Sequence, residues 1–291
     1  MSNYGSSIKS IRKNKGYTQK EVAANLFTQA TYSNFEADKT DILSTSFMHL
    51  LSQLHISSDE LRYIHNDYQY DESTKIAERF FSLPYNDRNE ILQILRLIEA
   101  YYLKGNSNII LNDLKIICEA LLIIESSGDL LAAREKVNKV WVRISRFDQW
   151  YLVDLKIMNV ILYFFESDVV IYITDKLIER LKVYQGFDEA IKLKKTLTIN
   201  LSLILIKSGM ISEALNRLED FLQLHLSELS YKSLAVCFNR IAICYSYISK
   251  EKEIKYTKKI ERLLEVYEDE PFKEKLQLEY KKYCNLKNKN M

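Results

Sequence analysis

A chain of 291 residues allows one large domain or two ordinary ones, and 47% hydrophobic against 27% charged residues is the balance of a soluble protein with a sizeable core. Only two Pro and six Gly exclude an architecture of many tight turns and favour long helices with short connections. Forty-one basic against 39 acidic side chains leave a formal charge of +2, so the molecule is no polycation and any nucleic-acid site must be local.

The opening residues, MSNYGSSIKSIRKNKGYTQK, lack the apolar block of a secretory signal. No later stretch reaches the roughly eighteen consecutive apolar residues of a membrane span, so a cytoplasmic protein with no membrane partner is expected. Cys118, Cys237, Cys244 and Cys284 lie far apart, without a Cys-x-x-Cys or clustered histidines, and read as core thiols. No metal site and no cofactor is expected. The chain has no P-loop, Gly-x-Ser-x-Gly, His-Glu-x-x-His or Rossmann fingerprint, and is read as a non-enzyme.

Up to about residue 65 the apolar residues come in short bursts: GSSIKSIRKNKG, TQKEVAANLF, TQATYSNFE, STSFMHLLSQL and SSDELRYIHN. Each carries helical spacing, which predicts five short helices. Thr18-Gln-Lys-Glu21 and Ser57-Ser-Asp-Glu60 fit the capping box, in which a hydroxyl and a carboxylate reciprocally satisfy backbone N–H groups at a helix start.

Within TQKEVAANLFTQATYSNFEADK, Val22, Ala23 and Leu26 form one apolar stripe and Tyr32 and Phe35 another. Gln29, Ala30, Thr31, Ser33 and Asn34 then point away from both. Gln29 and Asn34 can each pair bidentately with an adenine edge, and Thr31 can offer its methyl to thymine. Residues 1–40 hold six basic against three acidic side chains. Arg12, Lys13 and Lys39 suit phosphates, and Gln19, at the start of the second helix, can donate to a backbone oxygen. Glu36 is read as an anchor for Arg12 or a neighbouring backbone group. His49, His55 and His65 are read as surface or packing residues.

Residues 66–72 (NDYQYDE) carry no helical stripe and form the candidate linker, with Pro84 interrupting or starting a helix shortly after. The expected domains are therefore 1–67 and 68–291. Beyond residue 73 the helical spacing runs longer, punctuated by Gly105-Asn, Ser127-Gly-Asp, Ser208-Gly and Glu270-Pro271. Ile178-Glu-Arg-Leu and Ile260-Glu-Arg-Leu sit 82 residues apart with Leu218-Glu-Asp-Phe near their midpoint, a period of about 41. Asn159, Asn200 and Asn239 are spaced by 41 and 39 on the same beat, each in an otherwise apolar helix. Such a period with two helices per unit is the tetratricopeptide-like pattern, in which each unit buries its face by stacking on the next. The fold class is thus all-α: a five-helix N-terminal domain followed by an α-solenoid.

A buried amide left unsatisfied costs on the order of 1–3 kcal/mol, so the three asparagines need partners. Either neighbouring helices supply them or the amides line one side of the solenoid and pair with the main chain of an extended peptide. Tyr163 and Lys207 lie about one and two turns beyond Asn159 and Asn200 and share that side. Arg240, directly after Asn239, can meet a carboxylate nearby.

The pattern IRKNKGYTQKEVA…TQATYSNFEADKTDILSTSFMHLLSQLHISSDEL resembles the Cro/repressor type of helix-turn-helix domain. The short connection Leu26-Phe27-Thr28-Gln29, the Phe35-Glu36 pair and the long helical remainder are similar, more narrowly, to the Rgg/GadR/MutR regulators of low-GC Gram-positive bacteria. The motif covers about a quarter of the chain. The resemblance implies a homodimeric transcription regulator that binds double-stranded operator DNA of approximate palindromic form and has RNA polymerase as a further partner. It implies that Gln29, Thr31 and Asn34 read bases and that Arg12, Gln19 and Lys39 hold the backbone. It also implies a repeat domain that binds a short signalling peptide on its concave face, through Asn159, Tyr163, Asn200, Lys207, Asn239 and Arg240. Many relatives carry a basic residue where Asn34 stands, so the base preference there differs. The competing reading is a helical-repeat adaptor that binds proteins, senses no peptide and shows no salt-dependent affinity for duplex DNA.

Overall fold

The computed structural model describes residues 4–23, 27–83, 87–184 and 186–284. Leu26 of the predicted apolar stripe and Pro84 lie outside the described residues. Among those described, sixteen α-helices and no strand are formed, as the scarcity of Gly and Pro requires. The chain divides into two compact units, Met1–Asn112 and Asp113–Met291.

The first unit begins with the five short helices that the apolar bursts predict: α1 (Gly5–Asn14), α2 (Gln19–Ala23), α3 (Gln29–Glu36), α4 (Ser44–Gln53) and α5 (Ser58–His65). Their core is Ile8, Val22, Tyr32, Phe35, Leu50, Leu51, Leu54 and Leu61, all buried. The Thr18–Glu21 capping box is complete: Glu21 N–H donates to Thr18 Oγ1 at 3.2 Å, and Thr18 N–H donates to Glu21 Oε2 at 2.7 Å. Ser57 accepts from Glu60 N–H at 3.0 Å at the start of α5.

The predicted linker forms a turn in which Asp67 and Tyr68 both take left-handed backbone, at φ 52° and 58°, before Asp71 caps the next helix. A helical hairpin follows, α6 (Glu72–Phe81) and α7 (Arg88–Leu103), tied by Arg79–Glu90 at 2.9 Å and Lys104–Glu72 at 2.7 Å. This hairpin belongs to the first unit, so the compact unit extends past residue 68 to the first turn of α8. The composition break marks the end of the five-helix bundle, and these ion pairs make α6–α7 one piece.

The second unit consists of α8 (Ile109–Ser127), whose first residues fall in the preceding unit, then α9 (Leu130–Ile144), α10 (Leu152–Ile161), α11 (Ser167–Leu181), α12 (Asp188–Lys207), α13 (Ile211–His225), α14 (Tyr231–Ile248), α15 (Lys250–Tyr267) and α16 (Glu270–Cys284). From α11 to α15 each helix packs on the next, α16 packs on α14, and α12 also contacts α10 and α14. Contact between every second helix is how stacked helix pairs bury a continuous core. The sequence period acquires its meaning here. Ile178, Leu218 and Ile260 fall on α11, α13 and α15, while Asn159, Asn200 and Asn239 fall on α10, α12 and α14. One beat of about 41 residues is one helix pair. Gly209, left-handed at φ 75°, makes the turn between α12 and α13 that Ser208-Gly signals.

Candidate nucleic-acid and peptide-binding sites

The placement of α3 starts at Gly5. A Cβ there would lie 1.8 Å from the carbonyl oxygen of Phe35, so only glycine lets α1 approach the end of α3 this closely. Asp38, left-handed at φ 56°, turns its carboxylate back to accept from Ser6 N–H at 3.2 Å. Neither residue stood out in the sequence, because each acts through a contact about thirty residues away.

Beneath α3 lies a buried polar cluster. Arg12 donates from Nε to Glu36 Oε1 at 2.5 Å and from Nη2 to Glu36 Oε2 at 2.8 Å, and its Nη1 donates to the Tyr17 carbonyl at 2.7 Å. Gln19 Nε2 donates to Glu36 Oε2 at 2.8 Å. Burial alone would raise the Glu36 carboxyl, but the hydrogen bonds from Arg12 and Gln19 more than offset it, and its pKa lies below the ordinary value. Glu36 thus anchors Arg12, as read from sequence.

The same geometry corrects the expectation for Arg12. Its side chain is buried and its guanidinium is committed to Glu36 and the Tyr17 carbonyl, so what it does in this structure is order the bundle, where a phosphate contact was expected. Gln19, half-buried, commits one amide hydrogen to Glu36 and keeps a second for an outside acceptor. Lys13 and Lys39 are exposed.

On α3 itself the face divides as the spacing predicts. Tyr32, Phe35 and Glu36 are buried; Gln29, Ala30, Thr31, Ser33 and Asn34 are exposed. Thr28 caps the helix by accepting from Thr31 N–H at 3.2 Å, and the Thr28 and Thr31 hydroxyls pair at 2.9 Å. The Thr31 hydroxyl is thereby occupied, which leaves its methyl as the group to present.

In the second unit the six predicted ligand residues separate into two sets. Asn200 Nδ2 donates to Asn159 Oδ1 at 3.1 Å, and the Lys207 ammonium lies 4.8 Å from the centre of the Tyr163 ring. These four share one side of the stack. Asn239 and Arg240 do not join them, and this is the second correction. Asn239 is buried and donates to the Leu276 carbonyl at 3.1 Å. Arg240 is buried too, bonded to Glu279 Oε1 at 3.1 Å and Oε2 at 3.3 Å and to the Ile199 carbonyl. Arg240 does meet a carboxylate, that of α16 in its own chain. Inter-helix bonding, the alternative reading of the asparagines, accounts for Asn239. The repeat beat held the signal for Glu279, which follows Arg240 by 39 residues, the step that separates Asn200 from Asn239.

Residues 8–61 match the Helix-turn-helix family model, which spans α2 and α3 with the packing described above. The chain carries a Cro/repressor-type helix-turn-helix domain. No curated protein sequence matches the chain. Its fold, over almost the whole length, is similar to that of a candidate transcriptional regulator from Listeria monocytogenes EGD-e (21% identity, 98% of each chain, TM-score 0.70). It is similar to PlcR of Bacillus thuringiensis, solved with the peptide PapR7 and DNA (14% identity, 95% of this chain and 99% of that one, TM-score 0.70). It is also similar to the pheromone receptor Rgg2 of Streptococcus dysgalactiae (15% identity, 96% and 99%, TM-score 0.67). The Rgg-type resemblance of the sequence is therefore met by the fold. No described helix is long and apolar enough to cross a membrane.

Proposed function

We propose that the chain is a sequence-specific, double-stranded-DNA-binding transcriptional regulator, a homodimer acting in the cytoplasm and without catalytic activity, controlled by a short peptide bound to its repeat unit. Residues 1–67 would read DNA and 68–291 would sense the ligand and contact the polymerase. The observation that carries this reading is the exposed polar face of α3, Gln29-Ala-Thr31 with Ser33-Asn34, held outward by Tyr32, Phe35 and Glu36. The peptide part rests on the side shared by Asn159, Tyr163, Asn200 and Lys207, on a fold whose neighbours include receptors solved with peptides.

In this mechanism α3 enters the major groove, Gln29 and Asn34 pair with base edges, the Thr31 methyl meets thymine, and Lys13, Gln19 and Lys39 hold phosphates. Two such helices in a dimer read half-sites about 34 Å apart, or a multiple of that. A peptide regulates the DNA affinity only by binding the two states of the protein with different strength.

The test is binding to the gene's own promoter region at several salt concentrations. Gln29→Ala is expected to cost roughly 1–3 kcal/mol and blur preference at one base pair. Lys39→Ala is expected to weaken all sequences alike and flatten the salt slope by about one unit. Sequence-independent behaviour of both variants defeats the proposal, and absence of salt-dependent duplex binding favours the adaptor.

A further inference from the structure

The first turn of α1 is capped from across the bundle. Tyr4 stands at its capping position in helical backbone, and its side chain makes no capping bond. The N–H groups that open a helix have no partner within it, so an acceptor must come from elsewhere. Asp38 supplies it: Ser6 N–H donates to its two carboxylate oxygens at 3.2 and 3.3 Å. The negative charge also meets the positive end of the α1 dipole.

The same residue ends α3. Asp38 N–H donates to the Phe35 carbonyl and Lys39 N–H to the Asn34 carbonyl, both at 2.9 Å, the paired bonds of a helix closed through a left-handed residue. Glycine is the ordinary choice at that position, because it takes a positive φ without crowding. Aspartate gives up that ease and gains a carboxylate aimed at α1. The Phe35 carbonyl so held is the group that leaves no room for a Cβ at Gly5, and such a Cβ would also lie 2.6 Å from Asp38 Oδ1. Bond and close approach therefore clamp one point, the last turn of α3 against the first turn of α1. The other end of α3 is fixed locally, by Thr28 accepting from Thr31 N–H.

We infer that Asp38 is a positioning residue for base reading: its carboxylate latches the C-terminal end of α3 to α1 and sets where Asn34 stands, while the Thr28 cap sets Gln29. It rests on the DNA reading above and adds a polarity to each half-site. From Gln29 to Asn34 the helix rises about 7–8 Å. A tilt about the capped end therefore moves Asn34 much further than Gln29, and a working contact geometry tolerates only about 0.5 Å. Loss of the carboxylate should thus erase preference at one end of the half-site and spare the other. Two substitutions separate the turn from the latch. Asp38→Gly keeps the left-handed turn and removes the carboxylate, and Asp38→Asn keeps the turn with one acceptor oxygen.

The probe is a pool of randomised duplex DNA, selected with the full-length protein and sequenced, with thermal unfolding measured on each variant. Gln29→Ala and Asn34→Ala first mark the base pair that each residue reads. Asp38→Gly is then expected to unfold close to the parent, since relief of the left-handed backbone offsets the lost cap. It should lose about fivefold or more of the preference at the Asn34 base pair and keep the preference at the Gln29 base pair. Asp38→Asn should restore most of what Asp38→Gly loses. The parent's full preference in Asp38→Gly overturns the inference, because the carboxylate then positions nothing. An equal loss at both base pairs overturns it too and leaves Asp38 a support of the bundle, and so does an Asn34→Ala variant that changes no preference. In each of these cases the DNA reading stands. Selection of no motif by the parent overturns both.

Discussion

Two buried arginine–glutamate clusters, Arg12–Glu36 with Gln19 in the first unit and Arg240–Glu279 with Asn239 in the second, use the same chemistry to opposite effect on function. The first lies under a short helix, and by fixing Glu36 inward beside the buried Tyr32 and Phe35 it leaves the far face of α3 exposed. The second absorbs two residues that were expected to be ligands, and what the proposed peptide reading keeps is one and two beats upstream, at Asn200 and Lys207 and at Asn159 and Tyr163. A polar side chain on an apolar stripe is thus a ligand candidate only where the next helix brings no carboxylate or free carbonyl to meet it.

The largest expected effect is on the first cluster. Glu36→Ala leaves Arg12 buried without its counter-charge and is expected to cost about 3–5 kcal/mol in urea unfolding. The double replacement Arg12→Met with Glu36→Leu removes both charges and should lie much nearer the parent stability. That double variant also tests the correction made to Arg12. If Arg12 only orders the bundle, the salt slope of DNA binding stays unchanged; a slope flatter by about 0.9 would return it to the phosphate contacts.

A somewhat smaller loss is expected for Arg240→Ala, about 2–4 kcal/mol, because Glu279 keeps partial access to water and Asn239 still donates to it. Thermal unfolding with and without a candidate signalling peptide separates the roles. The peptide-induced stabilisation, RT ln(1 + [L]/Kd), should be nearly preserved in Arg240→Ala and strongly reduced in Lys207→Met. The reverse result would restore Arg240 as a ligand and dissolve the contrast between the two clusters.

How far the sequence could carry these conclusions follows from the range of each interaction. The exposed face of α3 was legible because helical spacing alone sorts Gln29, Thr31 and Asn34 from Tyr32 and Phe35. The Thr18–Glu21 box was legible because its partners are three residues apart. The repeat beat correctly aligned Asn159 with Asn200, since stacking makes residues one period apart neighbours. It failed at Asn239 and Arg240 because their environment is set by α16, where Leu276 offers a carbonyl and Glu279 a carboxylate. Nothing local distinguishes an arginine that will reach solvent from one that will meet a glutamate 24 or 39 residues away. Gly5 was silent for the same reason: its need for glycine arises from the Phe35 carbonyl, not from its own turn.

The smallest effect is expected at an exposed carboxylate that serves as the counterpart of Glu36. Asp71 caps α6, accepting from Thr74 N–H at 2.9 Å and from the Ser73 and Thr74 hydroxyls. Desolvation would raise its pKa, but these donors outweigh it and hold the carboxyl at about 2 against an ordinary 3.8. Its folded pKa being the lower one, its contribution to stability is present above pH 3.8 and is lost as pH falls through about 2. Asp71→Ala should cost about 1 kcal/mol at neutral pH, the ordinary worth of an N-cap. Asp71→Asn should keep most of the cap and remove the titration between pH 4 and 2, where urea unfolding at a series of pH values would show a shallower decline. Glu36 titrates in the same direction, but its partners are two side chains and a buried site, so acid should break that cluster together with the seat of α3. DNA affinity falling with acid in Asp71→Asn as steeply as in the parent would place the acid-sensitive element at Glu36 and leave Asp71 a local cap.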